Sequence, residues 1–225
     1  MMSATEKALR DGVSALELQL DDSAIQKLLD YQALIGKWTQ VYNLTAVRNP
    51  AEMLTHHLLD SLAIIGPLQR HLANANLTAK ASLLDVGSGA GLPGVVIAIC
   101  CPHVQVTCVD AVAKKVAFIK QASLALKLPN LTGLHARVET IAQPFDIVCS
   151  RAFASLADFT DWSQKALSAT GVWMAMKGKH PEDECAALTP LIDVFHVELL
   201  QVPGLDAERC LLWMRPTLRR AETIT

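Results

Sequence analysis

Residues 83–94 read LLDVGSGAGLPG, and their pattern indicates the fold of the chain around them. An apolar, strand-like run passes through Asp85 and Val86, a glycine-rich turn follows, and Pro93 suits the first turn of a helix. Glycine lacks a Cβ atom, so the turn can be tight and its backbone can approach a ligand closely. Because glycine loses more conformational entropy on folding than other residues, the four glycines within residues 87–94 favour a ligand-binding loop over a plain turn.

The chain around this loop follows the pattern of an α/β protein. From residue 81, short β-rich runs alternate with helical stretches, which is typical of crossover units in a mostly parallel sheet. We predict seven strands, at residues 82–86, 104–109, 131–135, 146–150, 172–176, 194–200 and 210–214. Helices are predicted at residues 93–100, 113–127, 156–167 and within 182–188. No long helical pattern separates the last two strands, so we expect an antiparallel edge strand.

The N-terminal third has helical periodicity instead. A helix capped by one of the aspartates at 21–22 is predicted to carry an apolar stripe as far as Tyr42. A second helix is predicted to begin at the N-cap Asn49 and to end at residues 66–67, a Gly-Pro pair. We therefore predict a helical extension over residues 1–75 and one compact domain over residues 76–225.

Composition excludes several classes of protein. Of the 225 residues, 51% are hydrophobic and 19% are charged, with a formal net charge of −2, so the chain can bury a sizeable core and is not disordered. The longest apolar run, residues 95–101, is too short to span a membrane, and the N-terminus lacks the apolar stretch of a signal peptide. We expect a cytoplasmic protein. No C-x-x-C pair is present, and we predict no metal site.

Two ligand classes fit the glycine loop. Gly89-x-Gly91-x-x-Gly94 matches the dinucleotide fingerprint, so a nicotinamide-dependent oxidoreductase is one alternative. Asp85 would repel a pyrophosphate at the helix start, whereas it would attract the ammonium and sulfonium groups of S-adenosylmethionine, directly or through water. The sequence therefore favours S-adenosylmethionine as the cofactor. Asp110, 19 residues after Gly91, ends the next predicted strand, where it can accept hydrogen bonds from ribose hydroxyls or cap the following helix.

Further segments carry a resemblance to a known family. Together with the glycine loop, the segments YNLT (42–45), HLLDS (57–61), RVE (137–139), SRAFAS (150–155), KG (177–178) and ER (208–209) resemble the RsmG family, also called the glucose-inhibited division protein B family. Its members methylate N7 of a guanine in bacterial 16S ribosomal RNA. The resemblance implies an S-adenosylmethionine-dependent methyltransferase (Rossmann-like) fold, with the small ribosomal subunit as partner and S-adenosylhomocysteine as product.

The resemblance also implies site residues. Gly87 and Leu92 would line the methyl-donor pocket, Val138 and Glu139 would flank the adenine, and Arg151 would contact the donor region as the catalytic residue. The predicted strands place residues 137–139 and Arg151 after the third and fourth strands, and ligands of open α/β sheets bind beyond the carboxyl ends of the strands. The predicted cofactor site also includes Asp85, Ser88, Gly89, Gly91 and Asp110.

Methylation at guanine N7 needs no general base, because this ring nitrogen carries a free lone pair. We therefore expect catalysis mainly by alignment of N7, methyl carbon and sulfur, with Arg151 shaping the junction between cofactor and base. His57 falls on the apolar face of its predicted helix and is interpreted as a core histidine. His56 stands where the family often has arginine, and this position departs from the family pattern.

A sequence pI near 6.4 does not indicate a nucleic-acid-binding protein, so a local basic patch must bind the RNA. The predicted RNA-binding residues are Asn43, Arg48, Lys114, Lys115, Arg137 and Lys177, with Lys179 as a further candidate. Arg215, Arg219 and Arg220 are interpreted as a solubilising tail. A non-catalytic RNA-binding or ribosome-assembly module that retains a nucleoside pocket is the alternative from a different class. We expect a monomer.

Overall fold

The computed structural model describes residues 2–217 of the chain. Its helices are α1 (Ala4–Ala15), α2 (Asp22–Tyr42), α3 (Pro50–Met53), α4 (Asp60–Leu62), α5 (Ile65–Asn74), α6 (Gly94–Cys100), α7 (Ala113–Ala125), α8 (Leu156–Ser163) and α9 (Glu182–Ala186), with a π-helical segment, Leu54–Leu59, between α3 and α4. The strands are β1 (Ala81–Val86), β2 (Val104–Asp110), β3 (Leu131–His135), β4 (Phe145–Arg151), β5 (Leu167–Lys177), β6 (Ile192–Leu200) and β7 (Arg209–Pro216). None of the described helices is long and apolar enough to cross a membrane.

The seven strands form one sheet in the order β3-β2-β1-β4-β5-β7-β6. Strands β1 to β5 pair in parallel, and β7 pairs antiparallel with both β5 and β6. The predicted fold class is therefore confirmed, including antiparallel pairing at the end of the sheet that closes the chain. Because β1, β2, β4 and β5 are parallel, their carboxyl ends meet at one edge of the sheet, which is where ligands of such folds bind.

Three local predictions are wrong. Leu167 begins β5 instead of ending a helix, because it pairs with Phe145 of β4 across an irregular register. Residues 66–67 lie in the first turn of α5, where the missing N–H of a proline does no harm. Arg215 is not part of a tail, since it lies in β7, pairs with Asp193 at 3.0 Å and stacks over a phenylalanine ring. Arg219 and Arg220 lie outside the described residues.

The N-terminal helices pack on one face of the sheet. Asp21 caps α2 by accepting a hydrogen bond from the backbone N–H of Ala24 at 2.7 Å, which accounts for the predicted start of this helix. Buried side chains of α1, α2 and α5 join those of α6, α7 and the sheet in one apolar cluster. Tyr31 of α2 is fully buried, and its hydroxyl donates to the carbonyl of Ala90 in the glycine loop at 2.5 Å. The helices therefore contact the loop directly.

Asp85, near the end of β1, ties the strand to the helix that follows the loop. Its side chain is fully buried, and Oδ2 accepts a hydrogen bond from the backbone N–H of Gly94 at 2.8 Å. Oδ1 has no hydrogen-bond partner among residues 2–217. Burial raises the pKa of this carboxyl group to about 7, against the opposing effects of the Gly94 N–H and of Arg151.

We expect Gly94→Ala to lower the free energy of unfolding by about 1–3 kcal/mol, because the added Cβ would overlap the Cys108 sulfur and Asp85 Oδ2 in the core. Gly36→Ala is the matched control, since a Cβ on this helical glycine would meet no atom within 4 Å. The control should be neutral or stabilised by up to about 1 kcal/mol, the helix propensity difference between the residues. Urea unfolding of both variants checks this, and equal effects would contradict it.

Asp85 should also make stability depend on pH. Its folded-state pKa lies above the value of an unfolded chain, so its contribution is fully present below about pH 4 and is lost as the pH rises toward 7. Between these values the wild type should lose up to about 1.4 kcal/mol per pH unit relative to Asp85→Asn, which does not titrate. Urea unfolding of both proteins from pH 5 to 8 measures this difference. A constant difference across the range would refute the raised pKa.

Candidate functional site

The glycine loop wraps around the end of β2. Gly87 and Gly89 have φ angles of +64° and +59°, a region that side-chain-bearing residues rarely adopt. The backbone N–H groups of Gly87 and Ser88 donate to the carbonyl of Val109 at 2.9 and 3.2 Å. A Cβ on Gly87 would lie 2.5 Å from the ring of Phe153, so only glycine fits between the loop and this ring.

Asp110 holds the loop from the end of β2. Its Oδ2 accepts a hydrogen bond from the N–H of Gly89 at 3.0 Å, and its Oδ1 accepts one from the N–H of Val112 at 2.8 Å, just before α7. Lys115 approaches the same carboxylate at 3.6 Å. Asp110 therefore closes a turn before α7 but does not cap this helix, because the N-cap position is Val112 and no side chain caps it. The carboxylate also lines a cavity. Binding of ribose by Asp110 stays a prediction.

That cavity, which we call the nucleoside cavity, has a volume of about 380 Å³. It lies over the carboxyl ends of β1, β2 and β4 and is lined by Val86, Gly87, Val109, Asp110, Ala111, Lys115, Ala136, Arg137, Val138, Glu139, Ala152, Phe153 and Trp162. Phe153 meets Trp162 edge to face, with ring centroids 5.8 Å apart, which gives the cavity an aromatic wall. In addition to Gly87, five residues that were predicted to bind the cofactor or the RNA line this cavity: Asp110, Lys115, Arg137, Val138 and Glu139.

A second cavity, the cleft, adjoins the first on the other side of Gly87 and Ala152, which line both. It has a volume of about 540 Å³ and is lined by Leu44, Thr45, His56, His57, Asp60, Gly87, Ser88, Gly89, Ala90, Leu92, Arg151, Ala152, Met176, Lys177, Gly178 and Arg209. The N-terminal helices form one wall, and the ends of the strands form the other. The predicted residues Ser88, Gly89, Leu92, Arg151 and Lys177 are brought together here.

Arg151 enters the cleft from the end of β4. Its Nη1 donates to the carbonyl of His56 at 3.0 Å and to Oδ2 of Asp60 at 2.9 Å. The other carboxylate oxygen of Asp60 accepts a hydrogen bond from Nε of Arg209 at 2.8 Å. Asp60 is only 3% exposed, so two guanidinium groups compensate one buried carboxylate. This fixes where the guanidinium of Arg151 can lie.

Sequence reasoning did not assign Asp60 and Arg209 to the site. One signal was available: Asp60 lies three residues after the apolar-face residue His57, and a carboxylate on a buried helix face needs a cation. The identity of that cation could not be read locally, because the partners lie 91 and 149 residues away along the chain.

His57 is buried, as predicted, yet it lines the cleft. Its Nε2 lies 2.8 Å from Oγ1 of Thr45, while Nδ1 has no hydrogen-bond partner among the described residues. Burial lowers its pKa, and the nearby positive charge of Arg151 lowers it further, which favours a neutral imidazole.

The predicted RNA-binding residues differ in their exposure and in whether their side chains already have partners within the protein. Lys114 and Arg137 are exposed, and exposed Arg48 donates to Oδ1 of Asn43 at 3.0 Å. Lys177 is different, because its ammonium donates to Glu184 at 2.7 Å and its side chain is 16% exposed. Six predicted residues line neither the cleft nor the nucleoside cavity: Asn43, Arg48, Asp85, Gly91, Lys114 and Lys179. Residues 2–217 contain no group of three or more His, Cys, Asp or Glu side chains that could hold a metal ion.

Solved structures resemble this fold at low sequence identity. TrmN from Thermus thermophilus superposes with a TM-score of 0.55 and 18% identity, covering 73% of this chain and 53% of that one, so the chain spans about half the length of that structure. Coclaurine N-methyltransferase, bound to N-methylheliamine and SAH, gives a TM-score of 0.50 at 14% identity and covers 87% of this chain and 73% of that one. These likenesses show the fold alone.

Sequence comparison is far more specific. Residues 24–212 match the model of the family described as "GidB: rRNA small subunit methyltransferase G". A protein of Polaromonas sp. (strain JS666) named ribosomal RNA small subunit methyltransferase G is 71% identical over 214 residues, which cover 95% of each chain. The protein of the same name from Polaromonas naphthalenivorans (strain CJ2) is 69% identical over 219 residues, covering 96% of this chain and 99% of that one. The chain therefore belongs to the GidB family.

Proposed function

We propose that this protein transfers a methyl group from S-adenosylmethionine to N7 of a guanine in the 16S RNA of the small ribosomal subunit, acting as a monomer in the cytoplasm. The observation that carries the proposal is the pair of adjoining cavities that share Gly87 and Ala152. A methyl transferase needs a donor site and an acceptor site that meet at one point, since the transferred carbon passes directly between them. The family match and the names of the relatives supply the class of acceptor.

The residues around the nucleoside cavity suit S-adenosylmethionine. Gly87 lines this cavity without a Cβ atom, and Asp110 places a carboxylate in the same cavity, where ribose hydroxyls would lie. Behind the loop, Oδ1 of Asp85 is buried and unpartnered among the described residues, so a nearby cation would stabilise its ionised form. A pyrophosphate would instead disfavour ionisation of this group, whose pKa burial already raises to about 7.

The cleft suits a guanine base as acceptor. When bound, S-adenosylmethionine supplies an electrophilic methyl group. Guanine N7 has its lone pair in the ring plane and carries no proton, so the chain has to orient the base and exclude water but need not remove a proton. His57 agrees with this requirement, because its buried and hydrogen-bonded imidazole is held neutral beside the cleft.

Arg151 is the residue we assign to the junction between the two sites. It lines the cleft immediately before the shared Ala152, and Asp60 with the His56 carbonyl holds its guanidinium in one orientation. The remaining N–H donors of Arg151 can bind the target nucleotide. We further propose that the exposed residues Lys114 and Arg137 contact phosphates, which would contribute affinity but no sequence information.

The test of the proposal uses the full chain with labelled S-adenosylmethionine and small ribosomal subunits that lack the modification. After digestion of the RNA, the label is expected in 7-methylguanosine. Label in any other nucleoside would overturn the N7 assignment. If the protein binds the donor but labels neither subunits nor naked 16S RNA, the RNA substrate is wrong.

Arg151→Ala should lower kcat by about 10²–10³-fold, the usual effect of removing one preorganised donor from an active site. The fold should persist, because Asp60 retains its ion pair with Arg209. Arg70→Ala is the matched control, since Arg70 pairs with Glu198 at 2.7 Å away from both cavities. Single-turnover methylation and thermal unfolding of both variants provide the comparison. Near-normal turnover of folded Arg151→Ala would remove this residue from the site.

A further inference from the structure

Residues 152–155, which we call the connection, join β4 to α8 and form the partition between the two cavities. Ala152 lines both the cleft and the nucleoside cavity, while Phe153 lines the nucleoside cavity and packs closely against Gly87. The backbone of Ala152 has a φ of +53°, in the left-handed region that residues with a Cβ atom rarely adopt. Such a conformation persists only where surrounding contacts impose it, so other elements must hold the connection in place.

Glu184 of α9 holds the connection where it enters α8. Its Oε2 accepts a hydrogen bond from the backbone N–H of Leu156, the first residue of α8, at 2.8 Å. The N-cap hydroxyl of Ser155 accepts from the N–H of Asp158 instead, so the first N–H group of the helix takes its partner from another element. A carboxylate is a favourable partner there, because the N-terminus of a helix carries a partial positive charge.

Lys177, at the end of β5, holds the middle of the connection. Its ammonium donates to the carbonyl of Ala154 at 3.2 Å and to the two carboxylate oxygens of Glu184 at 2.7 and 3.1 Å. The three contacts equal in number the three N–H donors of an ammonium group, so acceptors within the protein can use all of them. Lys177 and Glu184 therefore form one unit, with a hydrogen bond from each to the chain between β4 and α8.

We propose that Glu184 and Lys177 are positioning residues for methyl transfer, because together they fix the connection at the point where the two cavities meet. The inference rests on the proposed function, in which the cavities that share Ala152 hold the methyl donor and the target base. Lys177 then has an internal role in place of the RNA contact that the sequence predicts for it.

A displaced connection would disturb both sides of the reaction. Phe153 forms part of the wall of the nucleoside cavity, and Arg151, immediately before the connection, lines the cleft. Without Glu184 and Lys177, the backbone between these two side chains could relax from its left-handed conformation and move them relative to each other. A misplacement of about 1 Å can slow a positioned reaction by about 100-fold, so turnover should depend on residues that contact neither substrate.

A double-mutant cycle tests the pair. Glu184→Ala removes the carboxylate that both groups share, and Lys177→Met removes the ammonium but keeps most of the aliphatic chain. We expect each variant to lower the single-turnover methylation rate, at saturating donor and small subunits, by about 10–100-fold. The double variant should be slowed by much less than the product of the two single effects, because the residues act as one unit.

The salt dependence of RNA binding separates positioning from a phosphate contact. Loss of one phosphate contact would reduce the salt slope by about one unit, whereas Lys177→Met should leave this slope unchanged. Glu182→Gln is the matched control for Glu184→Ala, because it removes a negative charge from the same helix at a side chain that is 89% exposed and 4.0 Å from His180. This control should turn over like wild type.

Thermal unfolding of every variant shows whether a slow rate comes from loss of the fold. Glu184→Gln provides a second variant with a milder change, since its amide oxygen can still accept from Leu156 while the ion pair with Lys177 is lost. Its rate should lie between those of wild type and Glu184→Ala, with the protein folded at the assay temperature.

A ¹⁹F NMR measurement needs neither RNA nor donor. The five phenylalanines are replaced by 4-fluorophenylalanine, and the resonance of Phe153 is assigned with Phe153→Leu. This resonance should shift or broaden in Glu184→Ala and in Lys177→Met, because the ring loses its fixed position beside Gly87. In Glu182→Gln it should match wild type.

The inference is overturned if folded Glu184→Ala turns over like Glu182→Gln, if the two single effects multiply in the double variant, or if the Phe153 resonance is unchanged. A reduced salt slope in Lys177→Met would likewise refute its internal role. Failure of the proposed function is distinguishable from these outcomes. If the wild type methylates no small-subunit RNA, the RNA assignment falls, while the Phe153 resonance still decides whether the pair positions the connection.

Discussion

The carboxylate of Asp60 holds the cleft together. It lies in the N-terminal helices, and its partners Arg151 and Arg209 come from the end of β4 and the start of β7. A buried carboxylate without cations would be strongly unfavourable, and two partly buried guanidinium groups without a carboxylate would be equally so. The three residues therefore fix one another, and with them the distance between the two walls of the cleft. Tyr31 provides a second attachment by donating to the glycine loop.

Much of the fold could be predicted because its signals are local. The short β-rich runs identified all seven strands, and the glycine loop with Asp110 identified the edge of the sheet at which ligands of such folds bind. The secondary-structure predictions were wrong where contacts between residues far apart in the sequence determine the structure. Leu167 joins the sheet because Phe145 offers a partner, and α5 continues past a Gly-Pro pair because its far side packs into the core. Local patterns contain neither piece of information.

Local sequence patterns also do not show which charged side chains are paired in the folded protein. Sequence reasoning treated the lysines as equivalent, yet Lys177 forms an ion pair with Glu184 and Lys115 lies 3.6 Å from the carboxylate of Asp110, so carboxylates of the protein partly compensate these two charges. Lys114, Arg137 and Arg48 remain exposed. A chain with a formal net charge of −2 has little long-range attraction for a polyanion. Recognition would then depend on close contacts in shaped cavities more than on steering, which suits an acceptor base that must be placed accurately.

The π-helical segment Leu54–Leu59 has a consequence for which sequences this fold can accept. A π turn contains one more residue than an α turn, so it rotates everything after it by about 100° relative to a regular helix. His57 reaches the cleft from within this segment, and Asp60 meets both arginines directly after it. Deleting one residue here would restore a regular helix but swing the carboxylate away from its partners. The segment can therefore vary in composition more readily than in length, and insertions or deletions should be rarer here than substitutions.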